Sequence, residues 1–344
     1  AFKDKRDEIE SQAENLTGHL LQSNTFGIAK PSVNEEATAA QFNTVFENIM
    51  QSADTKDGGF GRAPKFPQTF TIQFLLRHFY YTQNKKALHQ ALLSLDKMIY
   101  GGTYDQLGGG FARYATDSEW LAPHFEKMLY DNALLVITLS EACQLTKNQL
   151  YADTIRHTMD FIERELMSEE GGFFFFLYAD SEGVEGKYYV WDKKEIESVL
   201  QENAAVFCKY YDITEDGNWE QHNILRVLQP LDEFAARNKL DRETVADTLH
   251  FCRARLLEVR QKRVPPQLDD KILLSWNALM NIACSKAYTA LGEERYKQAA
   301  QKNMNFLLGK FRDKNTENWL HTYKNGVSRH PAFLDDYAFL VQAL

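Results

Sequence analysis

The sequence predicts an all-α protein in which antiparallel helical hairpins close into an (α/α)6 toroid. Three observations predict it. Runs with apolar residues at three-four spacing cover most of the 344 residues. Turn clusters ending in an aromatic, Gly58-Gly59-Phe60-Gly61, Gly108-Gly109-Gly110-Phe111, Gly171-Gly172-Phe173 and Asp216-Gly217-Asn218-Trp219, recur at intervals of about 46 to 63 residues, the length of a helical hairpin with its loop. Two helical runs, 125–143 and 272–290, are apolar nearly all round, as an inner layer requires. Irregular periods and unequal loops favour a closed ring over an open solenoid, because a ring gathers its loops on one face.

In chain order, the first periodic helix is 39–53, with Phe42, Val45, Phe46, Ile49 and Met50 on one stripe. Equivalent patterns predict helices at 69–82, 85–100, 123–146, 148–167, 193–211, 241–262, 272–291, 293–311 and 332–344. A small β-hairpin is expected at 173–191, where 173–177 and 187–190 flank Asp180-Ser181-Glu182-Gly183. Residues 1–37 read as a connecting segment and 38–344 as the toroid, with its last helices missing from the C-terminus.

Composition narrows the function. The content of 44% apolar and 25% charged residues is that of a folded chain, and excludes disordered and collagen-like classes. The 39 basic against 48 acidic residues, a net charge of −9, disfavour nucleic acid or an anionic membrane as partner. The four cysteines, Cys143, Cys208, Cys252 and Cys284, lie singly in helical segments, which fits buried free thiols and a reducing, cytoplasmic setting. No run is apolar enough to span a membrane. No cofactor and no metal are expected: the glycine cluster at 108–110 lacks the strand and the acidic ribose ligand of a dinucleotide site, and the acidic turn holding Asp180 lacks calcium-loop spacing.

The densest constellation of chemistry-bearing residues contains Asp105, Arg113, Tyr114 and Trp120, followed by His124, Glu126, Lys127 and Asp131. If a helix starts at Pro123, then His124, Lys127 and Asp131 fall within about 60° of one another on its wheel. That places an imidazole, an ammonium and a carboxylate on one face for general acid–base work, with Asp131 fixing the imidazole tautomer. Asp270 and Asp336, in the pairs 269–270 and 335–336, stand at helix starts. They read first as N-terminal caps and, where both face one cavity, as the acid and the base or nucleophile of glycoside cleavage. Trp276 and Asn277 offer a stacking plane and an amide, or core packing.

These strings also carry a resemblance. Residues 57–67 (DGGFGRAPKFP), 108–114 (GGGFARY), 120–132 (WLAPHFEKMLYDN), 179–191 (ADSEGVEGKYYVW), 269–277 (DDKILLSWN) and 334–338 (LDDYA) resemble the thioredoxin-domain-containing family that includes bacterial YyaL-like and animal spermatogenesis-associated members. The resemblance implies a toroid similar to six-hairpin glycosidases and N-acylglucosamine 2-epimerases, following a thioredoxin-like domain that is the expected partner and is absent here. Where the family pattern has histidine, this chain has Gln106 and Ala112, and Tyr178 stands where an acid is expected. Function is therefore expected to be carbohydrate-acting, either epimerase- or isomerase-like or glycoside-processing. The alternative is a non-catalytic ligand-binding or partner-docking module. The catalytic candidates are His124, Asp131, Asp270 and Asp336. The sugar-binding candidates are Asp105, Arg113, Tyr114, Trp120, Glu126, Lys127, Asp180, Trp276 and Asn277.

Overall fold

A computed structural model describes residues 5–25, 38–313 and 316–344. The chain divides into two compact units, Ala1–Glu47 and Asn48–Leu344. Within the first, helix α1 (Arg6–Thr25) occupies part of the expected connecting segment, and the rest of that segment, 1–4 and 26–37, lies outside the described residues. Helix α2 (Ala39–Ser52) follows.

The second unit is built of hairpins. α3 (Thr69–Thr82) pairs with α4 (Lys85–Tyr100). Three two-residue strands follow: β1 (Tyr114–Ala115), β2 (Pro123–His124) and β3 (Lys127–Met128). α5 (Leu129–Thr146) pairs with α6 (Gln149–Phe161), which ends in a π-turn at Ile162–Leu166. Next come β4 (Phe176–Leu177), β5 (Asp180–Ser181), β6 (Val184–Glu185), α7 (Lys193–Leu200), α8 (Ala204–Tyr210), α9 (Leu231–Asn238) and α10 (Arg242–Arg260). The chain closes with β7 (Leu268–Asp269), β8 (Ile272–Leu273), α11 (Leu274–Leu291), α12 (Glu294–Lys310), β9 (Leu320–Lys324), β10 (Val327–Pro331) and α13 (Leu334–Ala343).

The hairpin toroid is the architecture observed. α5 and α11 are buried along nearly their whole length, and pack directly on each other. With α3 beside α5 and α13 beside α11 they form the inner row, and α4, α6 and α12 lie outside it. All four cysteines are free and buried. Among the described residues, no helix is long and apolar enough to cross a membrane.

The helices expected at 193–211 and 241–262 form, as α7–α8 and α10, and lie outside the inner row. α7, α8, α9 and α10 instead close around a core of their own, which includes Trp191, Ile196, Phe207, Phe234, Cys252 and Leu256. None of them is apolar all round, so none has a second face to bury between inner neighbours. The expected hairpin at 173–191 is shorter: β5 pairs with β6 across Glu182 and Gly183, both at positive φ, whereas β4 pairs with β3 and β7. The helices expected from 123 and 272 begin at Leu129 and Leu274, because 127–128 and 272–273 are spent on strand pairing with β4 and β9.

Those strands position everything that follows. β3 runs straight into α5 and β8 into α11, so the small sheets pin the N-terminal ends of both inner helices. A second device repeats at each helix, where the fourth residue is an asparagine. Asn132 Oδ1 accepts from the Phe111 amide at 2.7 Å, and its Nδ2 donates to the carbonyls of Phe111 (3.0 Å) and Met128 (2.9 Å). Asn277 treats Phe173 and Leu273 identically, at 2.7, 2.9 and 2.9 Å. A planar amide supplies the one acceptor and two donors this job needs. The glycines before each phenylalanine let the loop approach: a Cβ on Gly110, at φ 80°, would stand 2.4 Å from the Phe161 ring.

Candidate functional site

The pinned ends of α5 and α11 bring one cluster together. Arg113, next to β1, lies between Glu126 and Tyr130. Its backbone amide donates to the Glu126 carbonyl at 2.9 Å, and its Nη1 stands 3.3 Å from Glu126 Oε2. The Tyr130 hydroxyl lies near the Arg113 guanidinium and the Asp131 carboxyl and acts electrostatically on both. The Tyr130 ring packs 4.6 Å from Trp276 of α11, which stacks on Phe175 at 4.1 Å. Lys271, held by Asp269 at 3.1 Å, lies over the other side of that aromatic pair, 4.3 Å from the Phe175 ring. On the opposite flank, β1–β2 pairing sets Tyr114 against His124 with rings stacked at 5.1 Å, and Phe66 packs on Tyr114 at 4.8 Å.

Two atoms in this cluster are buried with no hydrogen-bond partner among the described residues: Asp131 Oδ2 and Arg113 Nε. One is an acceptor and the other a donor, the complement a hydroxyl- or carbonyl-bearing ligand needs. Burial pushes the Asp131 carboxyl up to about 7; Arg113 and Tyr130 pull it back in part, and Glu126 adds to the rise. Asp131 is therefore poised to hold or release a proton near neutral pH.

His124 is not where the helical wheel placed it. It sits in β2, and its Nδ1 bonds Glu185 Oε1 at 2.7 Å while Nε2 stands 3.7 Å from Glu126. Glu185, from the β5–β6 hairpin, rather than Asp131, fixes the imidazole: with Nδ1–H donated, Nε2 carries the free lone pair.

The remaining candidates divide clearly. Lys127 is a buried strand residue whose Nζ bonds Asp105 Oδ2 and the Gly109 carbonyl, each at 2.8 Å. Asp105 also takes both Nη atoms of buried Arg260, at 2.8 and 2.7 Å. Burial would raise the Asp105 carboxyl, yet the two cations and the amide of Gly108 hold it well below the usual range. Both residues tie the loop at 105–109 to α10, so their work is structural. Trp120 is fully buried and donates to the Asp57 carbonyl at 2.9 Å. Asn277 is the clamp already described. Asp336 is fully buried: Oδ1 accepts from the Ser275 amide (2.9 Å), and Oδ2 from the Phe333 amide (2.8 Å) and His321 (2.7 Å). Its role is that of a cap. Asp270 pairs with Lys324 at 2.5 Å, a bond that lowers its pKa, and Asp180 is an exposed strand residue.

The structure thus joins Arg113, Tyr114, His124, Glu126, Asp131 and Trp276, and leaves out Asp105, Trp120, Lys127, Asp180, Asp270, Asn277 and Asp336. Sequence reasoning missed Tyr130, Phe175 and Glu185. Tyr130 had a signal, a large aromatic next to Asp131; Phe175 had none beyond its place in the aromatic run 173–176. Gln106, at a position where the resembled family has histidine, is buried and donates to the carbonyls of Ile99 and Gly101.

No protein-family model matches the chain. Over its full length it is 32% identical to spermatogenesis-associated protein 20 of Homo sapiens, of which it covers 48%, and so it spans about half the length of that relative. Among solved structures it is similar to a sugar epimerase from a ruminal bacterium (TM-score 0.37, 13% identity, 85% of this chain and 92% of that one). It is also similar to a family 76 glycoside hydrolase from a bovine Bacteroides thetaiotaomicron strain (TM-score 0.39, 12% identity, 88% and 62%).

Proposed function

We propose that the chain is a member of the family of spermatogenesis-associated protein 20, about half of whose length it spans, and that it is a carbohydrate-acting domain whose site is the cluster between α5 and α11. One observation carries the reading: a carboxyl with a pKa of about 7 and a guanidinium each present an unpartnered buried atom beside the Tyr130–Trp276–Phe175 aromatic surface. Aromatic faces suit the apolar faces of sugar rings, and paired donor and acceptor atoms suit their hydroxyls.

The chemistry we assign is proton transfer at a sugar, of the epimerase or isomerase kind. Asp131 Oδ2 takes or returns the proton, and Arg113 Nε donates to the oxygen on which negative charge develops. His124 Nε2 is the second proton carrier, with its tautomer set by Glu185. Glycoside processing draws on the same groups, with Asp131 as the acid that protonates the leaving oxygen. A second reading, sugar binding without turnover, is favoured by one feature: Gln106 and Ala112 supply no imidazole, and Gln106 is committed to backbone carbonyls. In the full-length protein we place this domain in the cytoplasm, in the service of a thioredoxin-like domain.

A panel of mono- and disaccharides tests the reading by thermal shift. At least one sugar is expected to raise the melting temperature of the protein and not of Asp131→Asn. Failure of the whole panel, or equal stabilisation of the variant, would overturn it. Conversion of the stabilising sugar to its epimer or isomer separates turnover from binding alone.

A further inference from the structure

We propose a second ligand site, for an organic oxyanion, in the cavity of about 410 Å³ that α6 and α10 enclose with the loop at 104–107. It shares no residue with the cluster between α5 and α11. Its charged anchor is Arg253. The Nη1 of this half-buried guanidinium lies 3.3 Å from the Tyr211 hydroxyl, and among the described residues no carboxylate pairs with it.

The other permanently charged groups on the cavity wall are already paired. Asp153 pairs with Arg156 at 2.9 Å, Arg156 also with Glu293 at 2.6 Å, and Asp160 with Arg295 at 2.6 Å. His157 is held neutral: burial lowers its pKa to about 4, its Nε2–H donates to the Leu107 carbonyl at 3.2 Å, and its Nδ1 accepts from the Tyr104 hydroxyl at 2.9 Å. Among the described residues, what remains is one permanent cation, Arg253, in a cavity walled also by His250 and by Tyr100, Tyr104, Tyr210 and Tyr211.

A planar guanidinium recognises carboxylate and phosphate oxygens through paired N–H groups, and such bonds strengthen where water is excluded. Tyrosine rings accept the carbon body of the ligand, and the hydroxyls of Tyr100, Tyr210 and Tyr211 can donate to its oxygens, whereas the Tyr104 proton is committed to His157. The occupant is therefore a small molecule with an apolar or aromatic body and one carboxylate or phosphate. A bare inorganic anion would leave the tyrosine wall unused.

Calorimetric titration of the whole chain with phenyl phosphate, phenylacetate and uncharged benzyl alcohol tests this. At least one anionic probe is expected to bind, with benzyl alcohol at least about tenfold weaker. Tighter binding of phenyl phosphate assigns the natural ligand to phosphate esters, and tighter binding of phenylacetate to organic acids. Arg253→Gln should weaken binding about tenfold or more. Ala254→Trp, at an exposed position on the cavity rim, should abolish it without touching the guanidinium, and serves alone if Arg253→Gln fails to fold. Asp131→Asn should bind the probe like the parent, which keeps this site separate from the proposed sugar site. Unchanged binding in Arg253→Gln or Ala254→Trp, lost binding in Asp131→Asn, equal binding of benzyl alcohol, or no binding of either anion at millimolar concentration would overturn the proposal.

Discussion

Asp131 and Asp336 hold the same position, the third residue of an inner helix, in α5 and α13. Both are buried, at 8% and 0% exposure. Their surroundings differ. Asp336 accepts three hydrogen bonds, from Ser275, Phe333 and His321, and through the Phe333 amide it caps the start of its own helix. Asp131 keeps one oxygen without a partner and is driven toward protonation. Burial of a carboxylate is thus neither structural nor functional in itself. Saturation of its acceptors makes a cap, and their incompleteness leaves an atom for a ligand.

This comparison can be broken in four ways. The largest effect is expected at the clamp that sets both α5 and α11. Asn277→Asp would turn a carboxylate toward the carbonyls of Phe173 and Leu273 in a fully buried position, and should cost about 4 kcal/mol or more, read as a fall in the urea midpoint. A loss below about 1 kcal/mol would show that the clamp does not hold the helix start. Asp336→Ala strands the buried Ser275 amide and the part-buried Phe333 amide and should cost about 2–3 kcal/mol, with no change in sugar stabilisation. Loss of sugar binding in an otherwise stable Asp336→Ala would move Asp336 into the site.

Asp131→Asn is expected to act in the opposite direction. The folded-state pKa of about 7 lies above the ordinary 3.8, so the folded protein holds this proton more tightly than the unfolded chain. The stability from that proton is complete below about pH 4 and is lost as pH rises through 7. The asparagine variant should match the parent at pH 4 and exceed it by about 2–4 kcal/mol at pH 8. Equal stability at both pH values would mean that Asp131 titrates normally and that the contrast with Asp336 is false. The smallest effect is expected from Trp276→Leu. It should cost about 1–2 kcal/mol of stability, because the ring is only half-buried against Tyr130 and Phe175, yet weaken any stabilising sugar more than tenfold.

The inner helices were legible because burial on both sides of a layer writes itself as apolar residues on every face, as in 129–146 and 274–291. The departure of α7–α10 from the row was not, since amphipathic helices of similar length serve equally as outer helices or as a separate cluster. His124, Asp131, Arg113 and Trp276 were found from residue type and proximity in sequence. Their partners Glu185 and Phe175 arrive from strands remote in the chain, which no wheel or spacing reports.

By itself the sequence determined most of the helical segments, though not α1 or α9. It also determined the two inner helices that are apolar all round and the glycine–aromatic loops that crowd their ends, because these depend on local periodicity and on the absence of a side chain. Tertiary structure alone decided where α5 and α11 begin, since strand pairing of 127–128 and 272–273 competes with helix there. It alone also separated Asp131 from Asp336. Whether a buried carboxylate is satisfied depends on donors that other elements bring to it: the Ser275 amide and His321 reach Asp336 from α11 and β9, and no such pair reaches Asp131.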